Sequence, residues 1–79
     1  MRSLHVTRHA ASVVIQWRAP ANQGLRGFNL DSGGRRLNQR MIPMHSGAAY
    51  RYEVHAHVTG RIVLLGMLAD GRVVRLAHS

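Results

Sequence analysis

Two histidines spaced two residues apart, His55 and His57, form the pattern in this chain that comes nearest to a metal site. On a β-strand, residues i and i+2 point to the same face, so both imidazoles could bind one ion together with a third ligand. Histidines elsewhere in the chain could supply that ligand: His5, His9, His45 and His78. Cysteine ligands are excluded because the chain has no cysteine. We expect two solvated histidines on an exposed strand face and no bound metal.

The acidic residues and the serines do not form a catalytic pattern. The chain has three carboxylates, and two of them, Asp31 and Asp70, stand in turn sequences where aspartate bonds to the backbone. The third is Glu53, which leaves no paired carboxylates for acid–base catalysis. No serine stands in a Gly-x-Ser-x-Gly sequence. We therefore expect a protein that is not an enzyme and has no cofactor.

Basic residues dominate the charge of the chain. Its 11 basic residues, all arginine, against 3 acidic ones give a net charge of +8, which could attract nucleic acid or anionic lipid headgroups. Gly33 and Gly34 before Arg35 and Arg36 could cradle a phosphate, although a hairpin turn followed by solvated charges is the simpler interpretation. With Arg40, these two arginines are the candidate basic surface. The other arginines are spread along the chain, as codon bias alone would also produce, so nucleic acid is the less favoured partner.

Short alternating segments separated by turn sequences have to position these residues. Residues 12–18, for example, place Val13, Ile15 and Trp17 on one face, which is typical of a half-buried strand. Seven strands are predicted in this way, at residues 3–9, 12–18, 27–31, 35–42, 50–58, 62–69 and 73–77. We expect the strand at 50–58 to turn and pair with the one at 62–69, and Asp70-Gly71 to form a type I′ hairpin turn. The prediction is a single small all-β domain over residues 1–79, a seven-stranded antiparallel immunoglobulin-like sandwich or a small barrel.

The segment at residues 62–69 is apolar on both faces, whereas a core requires only one alternating set. We assign one set to the core: Ile62, Leu64 and Leu68, with Gly66 allowing close packing. The other set then faces outward as an apolar stripe: Val63, Leu65 and Met67. A soluble monomer rarely leaves such a stripe open, so these three residues are the candidate partner interface. The alternative is that the termini or loops of the chain cover this second face.

Five segments carry motifs that occur together in one domain family. Residues 15–20, Ile-Gln-Trp-Arg-Ala-Pro, place a tryptophan shortly before a proline, and residues 27–30, Gly-Phe-Asn-Leu, place a glycine before an aromatic residue. They resemble the second and third strands of the fibronectin type III family. Three later segments are similar to fibronectin-like modules of bacterial surface proteins: residues 36–43, 49–53 and 68–71. The resemblance implies a seven-stranded sandwich of two sheets that serves adhesion, spacing or docking rather than catalysis.

The chain departs from this family at one strand. The sixth strand of the family carries alternating tyrosines, one of which makes a corner hydrogen bond, whereas residues 62–67 contain no tyrosine. Members are also commonly exported parts of long chains, whereas this sequence has 79 residues.

The favoured function is that of an accessory or stabilising subunit that docks on protein subunits of a larger assembly, which could be membrane-bound. Two alternatives stay open: a small basic RNA- or DNA-binding protein, and an adhesion module of an exported protein. The longest apolar run, residues 62–69, is far shorter than the roughly 20 residues of a membrane-spanning helix. No signal peptide is recognisable after Met1, so a chain that starts there is expected to be cytoplasmic or membrane-peripheral.

Overall fold

The computed structural model describes residues 4–19, 24–45 and 49–79, and within them the chain is built from β-strands without a helix. The strands are β1 (Leu4–Arg8), β2 (Val13–Arg18), β3 (Leu25–Ser32), β4 (Arg35–Arg36), β5 (Ile42–Pro43), β6 (Ala49–Val54), β7 (Ile62–Leu68) and β8 (Val73–His78). The predicted all-β class is confirmed, with eight strands instead of seven.

The strands form two antiparallel sheets that share one core. The first sheet has the order β1-β2-β6, and the second has the order β4-β3-β7-β8, with β5 pairing beside β4 along β3. The expected pairing of the strands at 50–58 and 62–69 is wrong, because β6 and β7 lie in different sheets. Strand β6 ends at Val54, and residues 55–61 cross from one sheet to the other instead of forming a tight turn.

A cluster of three aromatic rings joins the two sheets. Trp17 of β2 is 2% exposed and stacks on Tyr50 of β6, with ring centroids 5.6 Å apart. Phe28, from the other sheet, meets Trp17 edge-on at 5.5 Å and Tyr50 at 4.7 Å. This confirms that Trp17 is buried between the sheets. The rest of the core surrounds these rings: Val13, Ile15, Ala19, Leu30, Val54, Ile62 and Leu64.

One edge of β3 pairs with two short strands, because a side chain interrupts the pairing between them. The single edge strand predicted at residues 35–42 is instead two strands of two residues each, β4 and β5. Between them, the buried Asn38 accepts a hydrogen bond from the Leu30 N–H through Oδ1, at 2.8 Å. Its Nδ2 therefore faces Asn29, whose Oδ1 accepts at 2.8 Å, and it also donates to the Arg40 carbonyl at 2.7 Å. The Asn38 side chain takes the place of a backbone partner, which is why the strand breaks here.

Replacing Asn38 with alanine is expected to lower the free energy of unfolding by about 1–3 kcal/mol, because the buried Leu30 N–H loses its acceptor. Chemical denaturation followed by circular dichroism measures the change. Gln39→Ala is the matched control, since Gln39 is exposed next to Asn38 and its replacement should leave stability within about 0.5 kcal/mol. Equal stability of the two variants would contradict a structural role for the Asn38 amide.

The hairpin between β7 and β8 lies where it was predicted but has a different turn. The Gly71 N–H donates to the Leu68 carbonyl at 3.0 Å, and the Leu68 N–H donates to the Arg72 carbonyl at 2.8 Å. Gly71 has a φ of 92°, in the left-handed region. This pattern is a three-residue loop with a left-handed glycine at its end, whereas the sequence predicted a two-residue type I′ turn.

Candidate protein-binding surface

The apolar stripe predicted on β7 faces away from the core. Ile62 and Leu64 are fully buried, as expected for the core set, whereas Leu68, assigned to the same set, is half-buried. Their alternating neighbours are half-buried on the opposite face of the sheet: Val63, Leu65 and Met67. The stripe is therefore shielded in part, but it is not covered like the core.

The outer face of the second sheet, which carries the stripe, is more shielded at β3 than at β8. Residues directly opposite each other in an antiparallel sheet share a face, and Leu65 lies between Asn29 on β3 and Arg75 on β8. Asn29 is 4% exposed, because Asn38 folds over it, whereas Arg75 is exposed. The face is therefore more shielded at β3 than at β8, and cover of the stripe by the chain's own loops stays a prediction.

Two further apolar side chains extend the stripe on either side of Met67. Val73 lies directly opposite Met67 on β8 and is 52% exposed. On the other side Met67 pairs with Gly27, and Met41 lies against that glycine, since a Cβ there would be 2.9 Å from Met41 Cγ. Met41 is 40% exposed. Together with the stripe, these two residues form a surface that we call the outer patch. It consists of Met41, Val63, Leu65, Met67 and Val73.

Met41 and Val73 bring the exposed apolar side chains of the described residues together around Met67. Among the described residues, Met41 and Val73 are the large apolar side chains that are exposed, and both border Met67. The alternation of apolar and polar residues marked neither Met41 nor Val73 as part of an interface. Only the register of β7 with β8 shows that Val73 stands next to the stripe.

The rim of the outer patch differs in charge between its two sides. On the β3 side, Asp31 lies opposite Val63 and binds Arg36, with Arg36 Nε 2.6 Å from Asp31 Oδ1. On the β8 side, Arg75 and His78 are exposed, and Arg75 has no acidic partner within the described residues. The patch is therefore apolar in the middle and has an uncompensated positive charge on the side where it is open.

The candidate basic surface is divided by the fold. Arg35 and Arg36 lie on β4 and line a cleft together with residues 54–60. Arg40 lies outside the strands and lines a separate, largely apolar cleft with Tyr52. Because the Asp31 carboxylate engages Arg36, the three arginines do not form one uniform cationic surface.

The two histidines do not share a strand face, and this part of the sequence-based interpretation is wrong. Both are exposed in the segment that follows β6, because that strand ends at Val54. His57 lines the same cleft as Arg35. Within residues 4–19, 24–45 and 49–79, no three histidine, aspartate or glutamate side chains come together as a metal-binding group would require.

Aromatic rings on which bases could stack are not on the surface of the described part of the chain. Trp17, Phe28 and Tyr50 are buried, and Tyr52 is half-buried. Proteins that bind single strands combine a basic groove with exposed aromatic side chains. The described surface offers arginines without that platform, so no observation here favours the nucleic-acid alternative.

Comparisons with known proteins give this chain no family. No family model matches it, and neither a curated protein nor a solved structure is similar to it. The part of the chain that the structure describes also contains no helix with the length and apolar character of a membrane span.

Proposed function

We propose that this chain is a non-enzymatic, fibronectin type III-like module that docks on a protein subunit of a larger assembly. The strand order supports this fold. Strands β1-β2-β6 and β3-β7-β8 correspond to the A-B-E and C-F-G groups of immunoglobulin-like sandwiches, taken in chain order. Trp17 lies on the second strand, between the sheets, where the family resemblance requires a core tryptophan.

A tyrosine contact also fits the proposed family, although it occurs on a different strand. The Tyr50 hydroxyl oxygen accepts a hydrogen bond from the His45 N–H at 3.2 Å. A tyrosine that bonds to backbone a few residues upstream is the principle of the tyrosine corner in immunoglobulin-like sandwiches. Here it ties the start of the β5–β6 connection to β6, and Met44 Sδ lies 3.3 Å from the same hydroxyl. Residues 62–67 can therefore lack tyrosine without leaving the fold unanchored.

The observation that carries the docking function is the position of the exposed apolar side chains. Met41 and Val73 both border Met67, so the apolar exposure of the described residues falls on one sheet face. Two of these three residues are methionines, whose flexible side chains adapt to a partner surface. The exposed Arg75 at the open rim favours acidic groups on that partner. We infer a partner surface that is apolar at its centre and acidic at its edge.

Site-specific photo-cross-linking tests this docking in the cells that produce the protein. A benzophenone amino acid at position 73 would lie on the open side of the outer patch. The same residue at position 51 is the control, because Arg51 is exposed on β6 of the other sheet. We expect one dominant cross-linked protein from position 73 and none from position 51. Equal products from both positions, or none from either, would contradict docking through the outer patch.

A further inference from the structure

A cleft at one end of the two sheets brings together parts of the chain that are distant in sequence. It has a volume of about 400 Å³ and lies between the β3–β4 turn and residues 54–60. Arg35 and Arg36 line one wall, and His57 and Thr59 line the other. The two walls stand more than 20 residues apart in the chain, so the sequence alone could not join them.

The lining of this cleft is suited to an anion. The residues that line it include Arg35, Arg36 and His57 together with Ser32 and Thr59, and no acidic residue is among the described lining residues. Arginine presents several N–H donors in a planar fork, which matches the oxygens of a phosphate or sulfate group. Arg36 donates through Nε to Asp31 at 2.6 Å, on the sheet face that Val63 shares, so Arg35 is the arginine of this wall that is left to meet a ligand.

Arg8 fixes the second wall and adds charge behind it. Its two terminal nitrogens donate to the carbonyl oxygens of Val58 and Gly60, the latter at 3.1 Å. Both acceptors are neutral, so the positive charge of Arg8 stays uncompensated beside the cleft. Gly60 also comes close to the first wall, because a Cβ on it would lie 3.1 Å from Ser32 Oγ. The two walls therefore come close to each other at Ser32 and Gly60.

The first wall turns sharply at two glycines. Gly33 and Gly34 have φ values of 60° and 79°, in the left-handed region, and both are exposed. A Cβ on either glycine would meet nothing within 4 Å, so the turn leaves open space beside the arginines.

We propose that this cleft binds a phosphate monoester group. The charge balance supports a dianion: Arg8 and Arg35 have no acidic partner within the described residues, and Arg36 shares its charge with Asp31. The group could belong to a free phosphorylated metabolite or to a lipid headgroup, since both present the same three terminal oxygens. The proposal is independent of the outer patch, which lies on the face of the second sheet.

Binding can be measured by titrating the ¹⁵N-labelled protein with inorganic phosphate and following the amide resonances. We expect saturable shifts at residues 33–36 and 57–60, and an affinity that falls about tenfold in Arg35→Gln, because a charge-assisted contact is lost. Arg18→Gln removes the same charge from an exposed position on β2 and should change the affinity less than twofold. Arg8→Gln should weaken binding by loosening the second wall.

Vesicles distinguish the two sources of the phosphate. Binding to phosphatidylcholine vesicles that contain phosphatidic acid, but not to pure phosphatidylcholine, together with weak or undetectable binding of inorganic phosphate, would identify a headgroup. Saturable binding of inorganic phosphate without vesicle binding would identify a soluble ligand. Equal losses in Arg35→Gln and Arg18→Gln would show attraction by net charge alone and overturn the proposal. It is equally overturned if the wild-type protein binds neither phosphate nor vesicles.

Discussion

Replacement of Trp17 by alanine is expected to lower the free energy of unfolding by about 3–5 kcal/mol. Trp17 contacts both other aromatic residues of the core, Tyr50 by stacking and Phe28 across the gap between the sheets. Its removal leaves a cavity at the place where the two sheets meet. A chain of 79 residues is stabilised by only about 5–10 kcal/mol, so the variant should lose a large fraction of its stability and unfold at a clearly lower temperature.

The loss of circular dichroism signal on heating measures this effect, and two variants separate its causes. Trp17→Phe should cost clearly less than Trp17→Ala, because it keeps an aromatic ring in the core. It also removes the indole Nε1, which is buried without a hydrogen-bond partner within the described residues, and therefore leaves no new polar group unpaired. Arg18→Ala, one position along β2, should be nearly neutral because Arg18 is exposed. Solvent-like tryptophan fluorescence in the folded wild-type protein would contradict the buried position of Trp17.

The alternation of apolar residues predicted the strands that pack directly on the core. Strand β2 follows its predicted limits within one residue, and Trp17 lies on the predicted face. For β7, the sequence allowed two alternating sets, and the presence of Gly66 selected the set of which the structure buries Ile62 and Leu64 but leaves Leu68 half-buried. A Cβ on Gly66 would lie 2.8 Å from Leu25 Cδ2 and 2.9 Å from Leu76 Cδ1. The glycine is therefore in the core set because side chains of both neighbouring strands close over it.

Sequence alternation failed where a side chain or a long connection decides the structure. The break between β4 and β5 depends on the Asn38 amide, which competes with the backbone for the Leu30 N–H. The end of β6 at Val54 depends on the crossing of residues 55–61, whose carbonyls Arg8 holds from another strand. Neither contact leaves a periodic signal, so neither could be predicted from spacing.

Only part of the candidate surface could be predicted, because contacts between distant segments leave no periodic signal in the sequence. Val63, Leu65 and Met67 follow from local alternation, whereas Val73 and Met41 join them only through strand register and packing against Gly27. The phosphate cleft depends still more on long-range structure, because His57 and Arg35 meet only after the chain has crossed between sheets. The identity of the docking partner and the absence of catalysis stay predictions, since they depend on molecules outside this chain.

Two neighbouring leucines on β7 provide the most direct test of the docking surface. Leu64 is fully buried in the core, whereas Leu65 is half-buried on the outer patch. Leu64→Ala is expected to cost about 2–5 kcal/mol, because it leaves a cavity that its neighbours cannot fill. Leu65→Gln should cost only about 1 kcal/mol, because less apolar area leaves water when this side chain folds into place.

The two substitutions should therefore lose the partner for different reasons. Leu65→Gln should keep the circular dichroism spectrum of the wild-type protein, stay soluble at higher concentration and lose the protein that cross-links at position 73, since a polar group interrupts the apolar patch. Leu64→Ala should unfold at a clearly lower temperature than the wild-type protein. It should lose the partner only because it unfolds. If Leu65→Gln unfolds the isolated chain as Leu64→Ala does, the stripe belongs to the core. If it folds and retains the cross-linked protein, that protein docks elsewhere; both results would reject the outer patch as the binding surface.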